Sequence, residues 1–162
     1  MNSLKAMTMS AAAFAFASAQ IASASPAPDA KLWAATWHLV LAKSKFASPA
    51  SAERSEDRAY RITGNHVTMR STTVSESGQL LHWGYSATTD GNWFLVSGNP
   101  SMDHVKLTGV SPREIKAETM KLKHPVGSAV ITVSEDGKEL TIDRTGGAAG
   151  TGQDVLVFSR VE

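Results

Sequence analysis

The stretch Leu80–Pro100, "LLHWGYSATTDGNWFLVSGNP", decides the fold. It sets two segments rich in aromatic and aliphatic residues on either side of Asp90-Gly91, and Asp-Gly accepts the positive φ of a hairpin turn. Within Leu80–Thr88 the side chains alternate. Leu81, Trp83, Tyr85 and Ala87 share one face, and Leu80, His82, Gly84 and Ser86 share the other, so the spacing predicts Trp83 and Tyr85 inward and His82 outward. Beyond the turn, Trp93 and Leu95 lie opposite Phe94 and Val96. This predicts a short strand buried on both faces, lining a cavity or lying under a loop. Aromatic residues on an inward strand face need no ligand to explain them, so the hairpin is expected to be mainly core and only partly pocket.

Working outward, turn signals recur along the chain. They are Thr63–Asn65, Glu76–Gln79, Thr89–Asn92, Ser97–Pro100, Val110–Arg113, Lys123–Gly127 and Glu135–Lys138. The segments between them are rich in Val, Ile, Thr and aromatics: Thr36–Leu41, Asp57–Ile62, His66–Ser75, Leu80–Thr88, Trp93–Val96, His104–Gly109, Glu114–Leu122, Ala129–Ser134, Glu139–Arg144 and Asp154–Val161. That pattern predicts an all-β protein, an antiparallel up-and-down meander of about eight to ten strands that closes into a barrel and contains no convincing helix. The longest irregular run, "TGGAAGTGQ" at Thr145–Gln153, is expected to be a flexible loop before the last strand.

The amino terminus belongs to a different class of sequence. Lys5 is followed by a short apolar run from about Ala11 to Ala17, then by small residues with A-x-A sites ending at Ala19 and Ala24. The run is too short to span a bilayer, and small residues at the last and third-last positions suit signal peptidase. Residues 1–24 are therefore expected to be a signal peptide cleaved after Ala24, with Ala19 the second choice. No Cys follows the run, which removes a lipoprotein anchor from consideration. Residues 25–32 are expected to be a flexible lead-in, residues 33–162 the barrel domain, and the mature protein periplasmic or secreted, with no integral membrane segment.

Charge excludes other classes. The chain carries 16 Lys and Arg against 15 Asp and Glu. Loss of the leader removes Lys5 and no acid, so the mature domain is neutral by formal count. It has no electrostatic footprint for nucleic acid. Export implies an oxidising compartment, yet there are 0 cysteines. Stability must therefore come from the core, and about 138 residues suffice for that without disulfides.

Four blocks, Ala35–Phe46, His82–Pro100, His104–Glu118 and Val133–Ile142, together resemble a family of small exported bacterial proteins known as lipocalin-like. The most specific piece is W-x-L-x-L-A-K-S-K-F at Trp37–Phe46. The resemblance covers most of the mature chain and implies a calycin-type barrel. It also implies an end-cap made of Trp37 on the first strand and Arg160 near the end of the last. Ala35 stands where lipocalins proper carry the glycine of a G-x-W motif. A barrel of this size either holds one small ligand or is filled by its own side chains, and the fold does not decide which.

Motifs for chemistry are absent: no G-x-S-x-G elbow, no H-E-x-x-H, no Gly-rich phosphate loop and no cysteine pair. The histidines, His38, His66, His82, His104 and His124, are scattered singly, whereas a metal site needs three to converge. No metal and no cofactor are expected. Asp103-His104 as an acid/base pair is disfavoured, because chain neighbours on a strand point to opposite faces. Lys43, Ser44, Lys45, Arg54, Arg58 and Arg61 are read as a solvated face, or as a small basic rim. Catalytic residues are not assignable.

Three functions remain. The first is binding of a small, partly apolar or amphipathic molecule in the barrel mouth by Trp83, Tyr85, Trp93, Leu95, Tyr60 and Met69. The second is a periplasmic interaction or inhibitor module, for which the best loop, Thr145–Gln153, lacks an anchor side chain. The third is a cofactor-independent isomerase or cyclase. That reading requires an ionisable residue on an inward face, and nearly all the inward positions assignable from the sequence are apolar.

Overall fold

The computed structural model describes residues 24–146, 150 and 152–161. The expected signal segment through residue 23, and residues 147–149 and 151 of the expected loop, lie outside the described residues. Ten strands follow one another: β1 (Ala35–Leu39), β2 (Glu53–Thr63), β3 (His66–Ser75), β4 (Leu80–Thr88), β5 (Asp90–Ser97), β6 (His104–Ser111), β7 (Glu114–Lys121), β8 (His124–Val133), β9 (Glu139–Gly146) and β10 (Gln153–Val161). Each pairs antiparallel with the next, and β1 pairs with β10, so the meander closes into a barrel without a free edge. The described helical residues form only α1 (Ala30–Trp33) and a 3-10 turn at Leu41–Lys43.

Alternation builds the interior. On β3, Val67, Met69, Ser71 and Thr73 are buried while the residues between them are half-buried or exposed, and β6 buries Val105, Leu107 and Gly109 in the same way. Burying one large aliphatic side chain contributes about 1.5 to 3 kcal/mol, and the interior collects Leu39, Leu107, Ile115, Ile131, Val133, Leu140, Ile142 and Leu156. In β4, Gly84 is the position where the strand closes tightly on its neighbour. A Cβ there would lie 2.4 Å from the Met69 carbonyl oxygen.

One end of the barrel is sealed. The turns β2–β3, β4–β5, β6–β7 and β8–β9 gather there, and the segment leading into β1 lies across them. The backbone of Pro26 passes so close to Gly109 that a Cβ would meet its carbonyl, Pro28 is buried, and the Asp29 N–H donates to Pro112 O at 2.8 Å. Asp29 caps α1 by accepting from Lys31 N at 2.9 Å, and the fully buried Trp33 donates its indole N–H to Pro112 O at 2.9 Å. Backbone and cap hydrogen bonds thus hold the segment leading into β1 on the barrel. Behind it, Trp37 opposes Arg160 in the strand register, and the guanidinium sits 5.5 Å from the ring centre. Arg160 also donates to the carbonyls of Leu32, Gly137, Lys31 and Ala34.

Three expectations change. β2 starts at Glu53 rather than Asp57, because its first residues pair with β3 across a bulge between Glu53 and Ser55. β8 starts at His124 rather than Ala129, because the chain reverses at Leu122 and Lys123, with φ of 49° and 66°, and not at the proline. The Asp103 carboxylate accepts the Leu122 N–H at 2.8 Å and holds this non-glycine turn. β5 is buried on one face only: Phe94 and Val96 turn inward, while Trp93 is 39% exposed and Leu95 72%.

Candidate functional site

At the end opposite the seal, the barrel holds a cavity of about 320 Å³ lined in part by the β1–β2, β3–β4 and β5–β6 connections. Its wall includes Leu81, Trp83 and Tyr85 from β4, Val105 from β6, Ala117 from β7 and Ile131 from β8. The three β4 residues are the inward face that period two assigns there. Trp83 and Tyr85 are adjacent, ring centres 6.5 Å apart and tilted by 46°. Gln79, Asn99, Ser101 and Met102 are among the residues at the mouth.

A layer of charged side chains projects into the same cavity. Glu56, Arg58 and Tyr60 occupy alternate positions of β2 and all point inward. Arg58 pairs with Glu56 through two contacts, Nε to Oε1 at 2.7 Å and Nη2 to Oε2 at 3.3 Å. The Ser71 hydroxyl donates to Glu56, and the Arg58 guanidinium lies 5.2 Å from the Trp83 ring and 5.4 Å from Phe158. Strict alternation would put Glu53 outside. The bulge between Glu53 and Ser55 shifts it onto the inner face, where its side chain is 11% exposed.

There Glu53 meets Arg144 of β9. Arg144 Nη2 donates to Glu53 Oε1 at 3.1 Å and to Ser51 O at 3.2 Å, and its Nε donates to Asp154 Oδ2 at 2.9 Å. Asp154, wholly buried, accepts from Ala47 N at 2.7 Å and from the Ser51 hydroxyl at 2.9 Å, which fastens the β1–β2 connection to the barrel rim. Buried ion pairs are strongly destabilised when one partner is removed, by about 3 to 5 kcal/mol. This network is therefore a fixed part of the interior.

The two glutamates titrate in opposite directions. Burial, with the Glu56 charge next, pushes the Glu53 carboxyl up to about 8, and Arg144 only partly opposes this. Burial also acts to raise Glu56, but the charge and hydrogen bonds of Arg58 outweigh it and hold Glu56 below the ordinary carboxylate value. Among the described residues, Glu53 Oε2 is shielded and accepts no hydrogen bond, and the Tyr60 hydroxyl is likewise buried without a partner. A proton carried by Glu53 and offered to Glu56 satisfies Oε2. Burial also drives the Tyr85 phenol well above its usual value, so it remains neutral.

The residues singled out by sequence separate into three places. Trp83 and Tyr85 line the cavity. Tyr60 and Met69 are buried in the packed layer toward the sealed end, Tyr60 edge-on to Trp33 at 5.8 Å, outside the cavity lining. Trp93 and Leu95 stand on the outer surface, Trp93 beneath the Lys106 ammonium at 5.2 Å, because the inner face of β5 is taken by Phe94 and Val96. The basic-rim reading is corrected for Arg58, which is 5% exposed and inside the barrel. Asp103 and His104 are also not splayed: they bond to each other at 2.8 Å, because Asp103 precedes β6 rather than lying in it. His38 pairs with Asp57 at 2.7 Å, and His82 contacts Thr72, both on the outside.

The sequence reading passed over Glu53, Glu56 and Arg144, and it placed Arg58 on a solvated face or rim rather than inside. The signal for two of them was available, since Glu56 and Arg58 stand at i−4 and i−2 from Tyr60, a residue read as part of the pocket. Glu53 could not be found that way, because a bulge is invisible to alternation. Compared with known proteins, the chain matches no family model, no curated protein and no solved structure.

Proposed function

We propose that the protein is exported and binds one small, largely apolar molecule in the open end of its barrel, without catalysing a reaction. The observation that carries this reading is the cavity of about 320 Å³, apolar and aromatic on its β4 side, sealed at one end and open at the other. The ten-strand antiparallel barrel is consistent with the calycin-like architecture that the family resemblance implies. No described helix is long and apolar enough to cross a membrane. Native mass spectrometry of the protein recovered from its own host tests the reading. A stoichiometric co-purifying small molecule, lost on Trp83→Ala, is the expected result. Protein that remains free of ligand and takes up no apolar probe overturns the reading. Intact mass of the exported protein tests processing: the expected start is Ser25 or Gln20, and a retained Met1 defeats export through the signal segment.

A second reading is favoured by one observation. Glu53 is an ionisable side chain on the inner face whose carboxyl burial pushes up to about 8, within the range that a cofactor-independent isomerase or cyclase needs of its acid or base. Turnover of a bound ligand that disappears in Glu53→Gln, with binding preserved, would move the protein into that class.

A further inference from the structure

The charged layer of the cavity does not balance. Its five members are Glu53, Glu56 and Arg58 on β2, Arg144 on β9 and Asp154 on β10. Three carboxylates face two guanidiniums, leaving one negative charge uncompensated whenever Glu53 is ionised. Both guanidiniums are already engaged, Arg58 by Glu56 and Arg144 by Asp154, Glu53 and the Ser51 carbonyl. They offer little to an anion. The phenols of Tyr60 and Tyr85 nearby are neutral, and no lysine or histidine is among the described residues lining the cavity. A proton on Glu53 restores the balance, and its Oε2 has no other partner among the described residues.

Resting on the binding reading above, we infer that the ligand of this cavity is a protonated amine with an apolar body, its ammonium seated against Glu53 in place of that proton and its body along Trp83 and Tyr85. Three features converge on this class. The site lacks one positive charge, a carboxylate oxygen there lacks a donor, and the adjoining wall is aromatic, which attracts cations through its π faces. A neutral ligand leaves the proton where it is. An acid adds a second uncompensated charge.

The exchange of proton for ammonium sets the pH dependence. Below about 8 the ligand must displace the proton from Glu53, so amine affinity rises as pH climbs toward that value. It falls again near about 10, where an alkylamine loses its own charge. A neutral analogue has no such profile.

Calorimetric titration with 2-phenylethylamine, 2-phenylethanol and 3-phenylpropanoate separates the outcomes. The amine is expected to bind about 10- to 100-fold more tightly than the alcohol near pH 8, and the acid most weakly. Titration near pH 7 in phosphate and in Tris is expected to reveal release of about one proton per amine bound. Glu53→Gln is expected to erase the preference for the amine, bringing its affinity down to that of the alcohol in the same variant, and to abolish the proton release. If that variant fails to fold, the wild-type amine preference and proton release still decide the matter. Alcohol and amine binding alike, without proton release, overturns the amine inference and leaves the binding reading standing. Failure of all three to bind overturns the inference as well, and uptake of any other apolar probe then decides the binding reading separately.

Discussion

Glu53 illustrates how a single side chain can work against the fold that holds it. Its carboxyl titrates at about 8 when folded against an ordinary 4.5, so the folded state binds the proton more tightly than the unfolded chain does. The stabilisation from that proton is fully present below 4.5 and is lost as pH rises through about 8. Glu56 has the opposite sign: it is held below the ordinary value, so its contribution is present above 4.5 and lost on acidification. Thermal melts from pH 5 to pH 9 are therefore expected to show a decline of about 2 to 4 kcal/mol that Glu53→Gln removes, since glutamine keeps the acceptor for Arg144 and supplies a permanent donor toward Glu56. A Glu53→Gln melt that declines as steeply as wild type would show that Glu53 is not the group responsible. The same residue marks the limit of sequence reading. Glu56, Arg58 and Arg144 are charged residues at inward positions, and composition alone assigns such residues to solvent. Only their mutual pairing, across strands far apart in sequence, makes burial tolerable.

At the scale of the strand, β4 was fully legible and β5 was not. Leu80–Thr88 has the predicted bounds, and its inward set of Leu81, Trp83, Tyr85 and Ala87 follows from alternation. β5 is apolar on both faces, so alternation carried no information, and the sheet had to choose. It placed Phe94 and Val96 inside and left Trp93 to the stem and ammonium of Lys106. The seam between β4 and β5 is also short, with only Gly84–Ser97 and Tyr85–Val96 in register. Gly84 sits at this seam, where a Cβ would collide with the Met69 backbone. Gly84→Ala is expected to destabilise the protein by about 2 to 4 kcal/mol through backbone displacement. Gly64→Ala, in a turn with φ of 59° and open space around it, should lose only about 1 kcal/mol. Urea denaturation of the two variants checks this, and equal losses would mean that β4 shifts freely at Gly84.

For the molecule as a whole, the sealed end was the more legible half. Trp37 and Arg160 occupy the positions that the family resemblance implied, and the ring and guanidinium lie 5.5 Å apart even though Ala35 replaces the glycine. A double-mutant cycle with Trp37→Phe and Arg160→Met is expected to give a coupling of about 0.5 to 2 kcal/mol. Arg160→Met alone should destabilise further, because four backbone carbonyls lose a donor. Zero coupling would reduce the arginine to a carbonyl clamp. The open half was less legible because its content depends on which residues a bulge and a long connection bring inward.

The pairing of β1 with β10 has a consequence in time rather than in space. Thr36 sits opposite Val161, so the first strand waits for nearly the last residues of the chain before its outer edge is covered. Contacts of such long sequence separation slow folding, because the loop entropy is spent before the contact is made. A chain emerging from its amino terminus can form hairpins from β2 onward, yet it cannot close. Until β10 forms, the sheet keeps two open edges, and the barrel locks only when that last strand pairs with both β9 and β1.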